Sequence, residues 1–196
     1  ISLIKILYND KIYNLYLNYF LKKYHKLLIY MEKNKNFKTA DLCDLYSDDL
    51  IIMHQQFNSY GKKESFFGKI STIKCLNDNS KVREAVNSDG LNKVLVVDGN
   101  ASMECALLGD ILAEAAFKNN WSGIIVNGCI RDSDVIANID IGVLALSTKP
   151  VKSVKKGIGE ENIDVKFMGV TFKPGDYIYA DSDGIIISKT ELDLTK

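Results

Sequence analysis

The residues of this 196-residue chain best suited to chemistry are Asp110 and the adjacent pair Arg131 and Asp132. They bracket GDILAEAAFKNNWSGIIVNGCIRDSD, residues 109–134, a stretch patterned as an amphipathic helix followed by a buried strand. Among 25 Lys and Arg residues only Arg83 and Arg131 are arginines, so a guanidinium directly after an apolar run and beside a carboxylate departs from the chain's usual cation. Guanidinium grips a carboxylate through two parallel hydrogen bonds and keeps its charge, whereas ammonium acts as a point charge. Two uses fit: an anion and metal site, or a structural Arg-Asp ion pair capping the next helix. Taken alone, these residues favour the ion pair.

The elements that must position them can be read outward from that stretch. Asp110 before ILAEAAFK reads as an N-cap, with Leu112, Ala115 and Ala116 on the buried face. The start of such a helix leaves backbone N–H groups around 109–112 unpaired, a cradle for a carboxylate or phosphate. VLVVD (94–98), closed by Gly99-Asn100, and GIIVNG (123–128) are continuous apolar runs that suit buried strands. Arg131 therefore arrives at the carboxyl end of a strand, where open α/β sheets place ligands. A short helix DVIANI and a strand IGVLAL (141–146) follow, and KPVKSVKKGIGEEN (149–162) is a polar loop that could fold over the site.

Toward the N-terminus, Thr39 reads as the cap of ADLCDLY, with Leu42, Leu45 and Tyr46 on one face, and FFGKISTIKC (66–75) as a strand after a turn at Gly68. Ser80–Asn87 reads as a short helix. Toward the C-terminus, VKFMGVTF, YIYAD and IIIS, separated by turns at Lys173-Pro174-Gly175-Asp176 and Asp183-Gly184, read as antiparallel short strands. The fold class is mixed α/β, with alternating elements in the middle and strands at the end.

Composition narrows the function. Hydrophobic content of 46% and charged content of 26% are those of a globular chain, and 196 residues suit one domain with an appendage. A formal net charge of +0 argues against direct nucleic-acid binding. Cys43, Cys75, Cys105 and Cys129 form no CxxC or Cys/His zinc pattern and read as reduced small hydrophobes in a cytoplasmic protein. No HExxH, GxSxG or Walker loop occurs, nor a glycine-rich strand-to-helix loop suited to a methyl donor. Residues 1–30 differ in composition, and lysines at 5, 11, 22, 23 and 26 interrupt them too often for a membrane span. They are read as an N-terminal extension, either translated sequence upstream of a start at Met31 or an amphipathic surface helix, with 31–196 forming the single domain.

ADLCDLYSDDL, VLVVDG, NNWSGIIVNGCIRD, DIGVLAL, GIGE, GVTFKPGDYIYAD and DGIIIS, in this order, resemble the blocks of the family of the regulator of ribonuclease E activity A and of the related class II 4-hydroxy-4-methyl-2-oxoglutarate aldolases. The resemblance covers Thr39 to Leu194. It implies a swivelling β/β/α domain, usually a homotrimer, with sites near subunit boundaries. The family's enzymes share Asp, twenty intervening residues and then Arg-Asp, matched by Asp110, 111–130 and Arg131-Asp132. The implied activity is divalent-metal-dependent cleavage of 4-hydroxy-4-methyl-2-oxoglutarate and decarboxylation of oxaloacetate through a pyruvate enolate. In that scheme the N–H groups of Gly109, Asp110, Ile111 and Leu112 hold the α-keto acid's carboxylate and Arg131 faces the keto oxygen. Asp110 relays a proton, Asp132 anchors Mg2+ or Mn2+, and Lys155 is either a contact to a distal carboxylate or a solvated loop residue. The alternative is a trimer that binds and inhibits a ribonuclease E-type enzyme.

Overall fold

The computed structural model describes residues 37–54 and 57–194; the reading of 1–30 as an extension lies outside them. Helix α1 (Thr39–Tyr46) and a 3-10 turn lead into strand β1 (Leu50–Met53), followed by β2 (Asn58–Ser59) and β3 (Phe66–Lys74). Helix α2 (Ser80–Val86), β4 (Val94–Leu108), α3 (Asp110–Lys118), β5 (Gly123–Ile130), α4 (Ser133–Ile136) and β6 (Gly142–Thr148) form the alternating middle. The short strands β7 (Glu160–Glu161), β8 (Val165–Phe167), β9 (Val170–Phe172), β10 (Tyr177–Ala180) and β11 (Ile185–Ser188) complete the chain.

The main sheet runs β1-β11-β10-β3-β4-β5-β6-β2, with β7 pairing β3. Its centre, β3 to β6, is parallel; the flanking pairs are antiparallel. Parallel strands linked by helices are buried on both faces, which is why Val94–Val97 and Ile124–Val126 read as unbroken apolar runs. The alternation of side chains divides them between two cores. Leu95, Val97, Ile124 and Val126 pack with Leu112, Ala113 and Ala116 of α3 and Val82 and Val86 of α2. Val94, Val96 and Ile125 face the other way, onto Val165, Phe167, Val170 and Phe172 of the β8–β9 hairpin. Hairpin, sheet and helices thus give β/β/α layers. The hairpin turns through Met168 and Gly169, both at positive φ, a geometry that glycine adopts without strain.

Several local expectations change. Thr39 is not a cap: it is the first residue of α1, and its N–H and hydroxyl donate to Asp181 at 2.8 and 2.7 Å. Leu42 is buried while Leu45 is exposed, so no three-residue apolar face exists there. Gly68 lies inside β3, not in a turn before it. Strand β4 does not close at Gly99-Asn100 but continues to Leu108 through shifts in register, with Asn100 and Ala101 at positive φ. Turn chemistry there makes bulges within a strand, bending it while its pairing with β5 resumes. The C-terminal strands split too: β8 and β9 pair only with each other, while β10 joins β3. Among the described residues no helix is long and apolar enough to cross a membrane.

Candidate functional site

The site forms where β4 and β5 end side by side. Leu108 opposes Ile130 in the parallel register, and the Arg131 N–H donates to Leu108 O at 3.0 Å, so Arg131 is held beside the start of α3. Gly109 is the N-cap of α3 and Asp110 its first helical residue, which corrects the expectation of Asp110 as the cap. Cap geometry needs an extended residue whose carbonyl opens the helix, and Gly109 supplies it by accepting from Leu112 and Ala113 at 3.1 and 3.0 Å. The buried face of α3 is Leu112, Ala113 and Ala116; Ala115 is only half-buried.

This geometry narrows the anion cradle. The Ile111 N–H donates to Asp110 Oδ1 at 2.7 Å and the Leu112 N–H is spent on Gly109 O. The N–H groups of Gly109 and Asp110 remain without an acceptor among the described residues. The Ile111 side chain is 72% exposed.

Arg131 Nε lies 3.3 Å from Asp132 Oδ2, with the side chains 29% and 37% exposed. Asp132 sits at φ 57° and its carbonyl accepts from Val135 and Ile136, so it opens α4 through its backbone, and its side chain caps nothing. The ion pair is therefore real, but the capping role in the structural alternative belongs to the peptide and not to the carboxylate. A Cβ added at Gly109 would lie 2.9 Å from Asp132 Oδ2 and 3.2 Å from Arg131 Nε, so glycine is what lets α3 approach the pair.

A pocket of about 190 Å³ opens here, lined among others by Gly109, Asp110, Arg131, Asn79, Arg83 and Lys155. The loop after β6 does reach it. Ala106 donates to Val151 O at 2.9 Å, and Lys149 donates to Ile130 O at 2.8 Å, which brings Lys152, Ser153 and Lys155 to the rim. Asp78 locks that loop to α2 by accepting from Ser80, Lys156 and Ile158. Burial pushes the Asp78 carboxyl up, yet hydrogen bonds from the Ser80 hydroxyl and the three N–H groups outweigh it and hold it down at about 2. Asp78 is thus a fixed charge that positions the rim.

The structure puts Asp110 and Arg131 in one pocket with Asn79 and Arg83, which the sequence analysis left out, while Asp132 meets that pocket only through Arg131. The available signal was the scarcity of arginine: both arginines of the chain line this one pocket. Among the described residues no group of three or more His, Cys, Asp or Glu side chains gathers as a metal ligand set. Asp132 does not itself line the pocket and reaches its edge through Arg131; its Oδ1 has no hydrogen-bond partner among the described residues.

Comparison with known proteins agrees with this architecture. Residues 39–187 match the RraA-like family model, described as Aldolase/RraA. A relative from Pseudomonas putida (strain W619) is 50% identical over 160 residues, covering 82% of this chain and 98% of that protein. It carries the provisional name 4-hydroxy-4-methyl-2-oxoglutarate aldolase. A Geobacillus kaustophilus HTA426 structure described as an S-adenosylmethionine: 2-dimethylmenaquinone methyltransferase superposes with TM-score 0.78 at 46% identity, covering 80% and 97% of the two chains. A structure described as the RNA-processing inhibitor RraA from Thermus thermophilis superposes with TM-score 0.79 at 35% identity, covering 82% and 98%.

Proposed function

This chain belongs to the RraA-like family, and from that premise we propose that it is a lyase for 2-keto acids. It cleaves 4-hydroxy-4-methyl-2-oxoglutarate by retro-aldol scission to pyruvate and decarboxylates oxaloacetate, with Mg2+ or Mn2+ as cofactor. The observation that carries this reading is the convergence of Arg131, Asp110 and the start of α3 on one pocket at the ends of two parallel strands.

The N–H groups of Gly109 and Asp110 bind the C1 carboxylate, aided by the positive end of α3. The Arg131 guanidinium donates to the keto oxygen, with one face already held by Asp132. As the bond beyond C3 breaks, negative charge grows on that oxygen, and Arg131 stabilises the developing enolate more than the ground state. The Asp110 carboxylate, which lines the pocket, takes the C4 hydroxyl proton as the C3–C4 bond breaks and returns it to C3 of the enolate; in decarboxylation, where CO2 leaves, the proton for C3 comes from water. Retro-aldol cleavage and decarboxylation share this apparatus because both leave the same enolate.

Asp132 is the residue that would hold the cation. One carboxylate with no soft ligand suits a hard ion that keeps most of its waters, and does not suit zinc. When bound, such a cation supplies Lewis-acid polarisation of the keto group.

Pyruvate release from both substrates, in Mg2+ and in EDTA, tests the proposal. Metal-dependent turnover is expected; none from folded protein sinks it. The RNA-processing inhibitor at 35% identity favours a second reading, docking on a ribonuclease. Retention on an immobilised ribonuclease by the Asp132→Ala variant, which is expected to be inactive as a lyase, would support it. Assembly as a homotrimer is part of the proposal, with the exposed Ile111 and Val135 beside the pocket as contact surface. Sedimentation of the purified protein as a monomer would remove it.

A further inference from the structure

The pocket holds more cation than the chemistry above uses. Arg83, Arg131, Lys152 and Lys155 line it, against Asp110. Counting Asp132, which pairs with Arg131, four cations meet two carboxylates. Arg83, Lys152 and Lys155 have no carboxylate partner among the described residues. The acids nearest Arg83 in the chain are committed elsewhere: Glu84 to Lys81 at 2.6 Å, and Asp78 to backbone N–H groups.

Helix α2 also presents an unmet acceptor. Asn79, its N-cap, donates from Nδ2 to Leu107 O at 3.2 Å, which fixes the amide's orientation and leaves Oδ1 buried without a hydrogen-bond partner among the described residues. A buried carbonyl oxygen left unpaired carries a desolvation cost that a donor on a ligand would relieve. Arg83 lies four residues on, and its N–H bonds to Asn79 O at 2.9 Å, so the two share one face of the turn. Val82 and Val86 take the opposite role and fill the core. Both members of the Asn79–Arg83 pair line the pocket.

We propose that this face of α2 reads the leaving half of the substrate. Arg83 grips a second carboxylate, and Asn79 Oδ1 accepts a hydrogen bond from a hydroxyl beside it. The ligand class is a hydroxylated dicarboxylate, with the keto-acid end on Arg131 and the hydroxy-acid end on α2. A pocket of about 190 Å³ falls below the ~300–1,000 Å³ of drug-sized sites and suits a metabolite of this size. The idea of a leaving half rests on the lyase reading; the recognition of two charges and a hydroxyl does not.

Calorimetric binding with Mg2+ present, using ligands that the enzyme does not cleave, separates the two. Arg83→Gln is expected to weaken 2-oxoglutarate by about ten- to hundredfold while pyruvate binds as in wild type, and Arg83→Lys to fall between. Asn79→Ala is expected to erase the preference of wild type for malate over succinate and to leave pyruvate unchanged. Melting temperatures check that each variant is folded; a variant that fails to fold is replaced by Arg83→Met or Asn79→Leu at the same position. The proposal is overturned if wild type binds 2-oxoglutarate no better than pyruvate, if Arg83→Gln weakens both alike, or if Asn79→Ala keeps the malate preference. The expected binding pattern without any turnover would remove the lyase reading and leave the α2 site standing.

Discussion

Two regions of the molecule use carboxylates in opposite ways. At Asp181, which follows β10 in the antiparallel half of the sheet, the side chain is buried and accepts from the Thr39 N–H and hydroxyl and from the N–H groups of Asp183 and Gly184. At the pocket, Asp110 accepts one N–H from its own neighbour, and beside it the Asp132 side chain meets only Arg131 among the described residues. Saturation makes a carboxylate a structural joint, because both oxygens are committed and the charge cannot be withdrawn without leaving buried donors unpaired. Under-commitment leaves a carboxylate free to take a cation or move a proton. Asp78 stands between these cases: saturated like Asp181, it spends its bonds on holding the pocket's rim.

The largest expected effect tests whether the pocket is the chemical region. Arg131→Lys should cost about 10²–10³-fold in kcat for pyruvate release, as when a charge-stabilising donor is lost, with the melting temperature little changed. Wild-type turnover in this variant would reduce Arg131 to a structural ion pair.

Next, Asp181→Ala should cost about 3 kcal/mol of stability in a denaturant titration, from lost charge-assisted bonds and stranded donors. Asp110→Asn should cost under about 0.5 kcal/mol. Equal losses at both positions would erase the contrast between the regions.

Gly109→Ala is expected to reduce kcat about tenfold, since a methyl pushes Arg131 and Asp132 from α3. Its measurement beside Arg131→Lys tells whether placement of the guanidinium matters as well as its presence.

The smallest effect is on pH. Asp78 is held at about 2, below its ordinary 3.8, and Asp181 is also lowered, where burial alone would raise it but the Thr39, Asp183 and Gly184 bonds prevail. A depressed folded-state value means that the stabilisation is complete above about pH 4 and is lost as pH falls through the folded value. Melting temperature should therefore decline from pH 4 toward 2, and Asp78→Asn should flatten that decline. An unchanged slope would show that Asp78 does not anchor the loop electrostatically.

Much of the site was legible because its parts are local. Asp110 and Arg131-Asp132 are separated by one helix and one strand, and that unit returns the chain to the same sheet end. The errors have local causes too. Gly99-Asn100 has the composition of a turn, but a bulged strand uses the same positive-φ residues without ending. Asp110 looks like a cap because Asp is favoured there, whereas closeness to Arg131 and Asp132 demanded glycine one residue earlier.

By itself the sequence determined the apolar runs, the α/β alternation, the Asp-to-Arg spacing and the family, since these depend on periodicity and order along the chain. Only the tertiary structure decided that Asn79, Arg83 and the loop carrying Lys155 share a pocket with Arg131. Segments around 79–83, 106–112, 131 and 152–155 meet through strand register, the Ala106–Lys152 bridge and the Asp78 bonds. No periodicity encodes those contacts, because they depend on which edges and loops pack together once the sheet has formed.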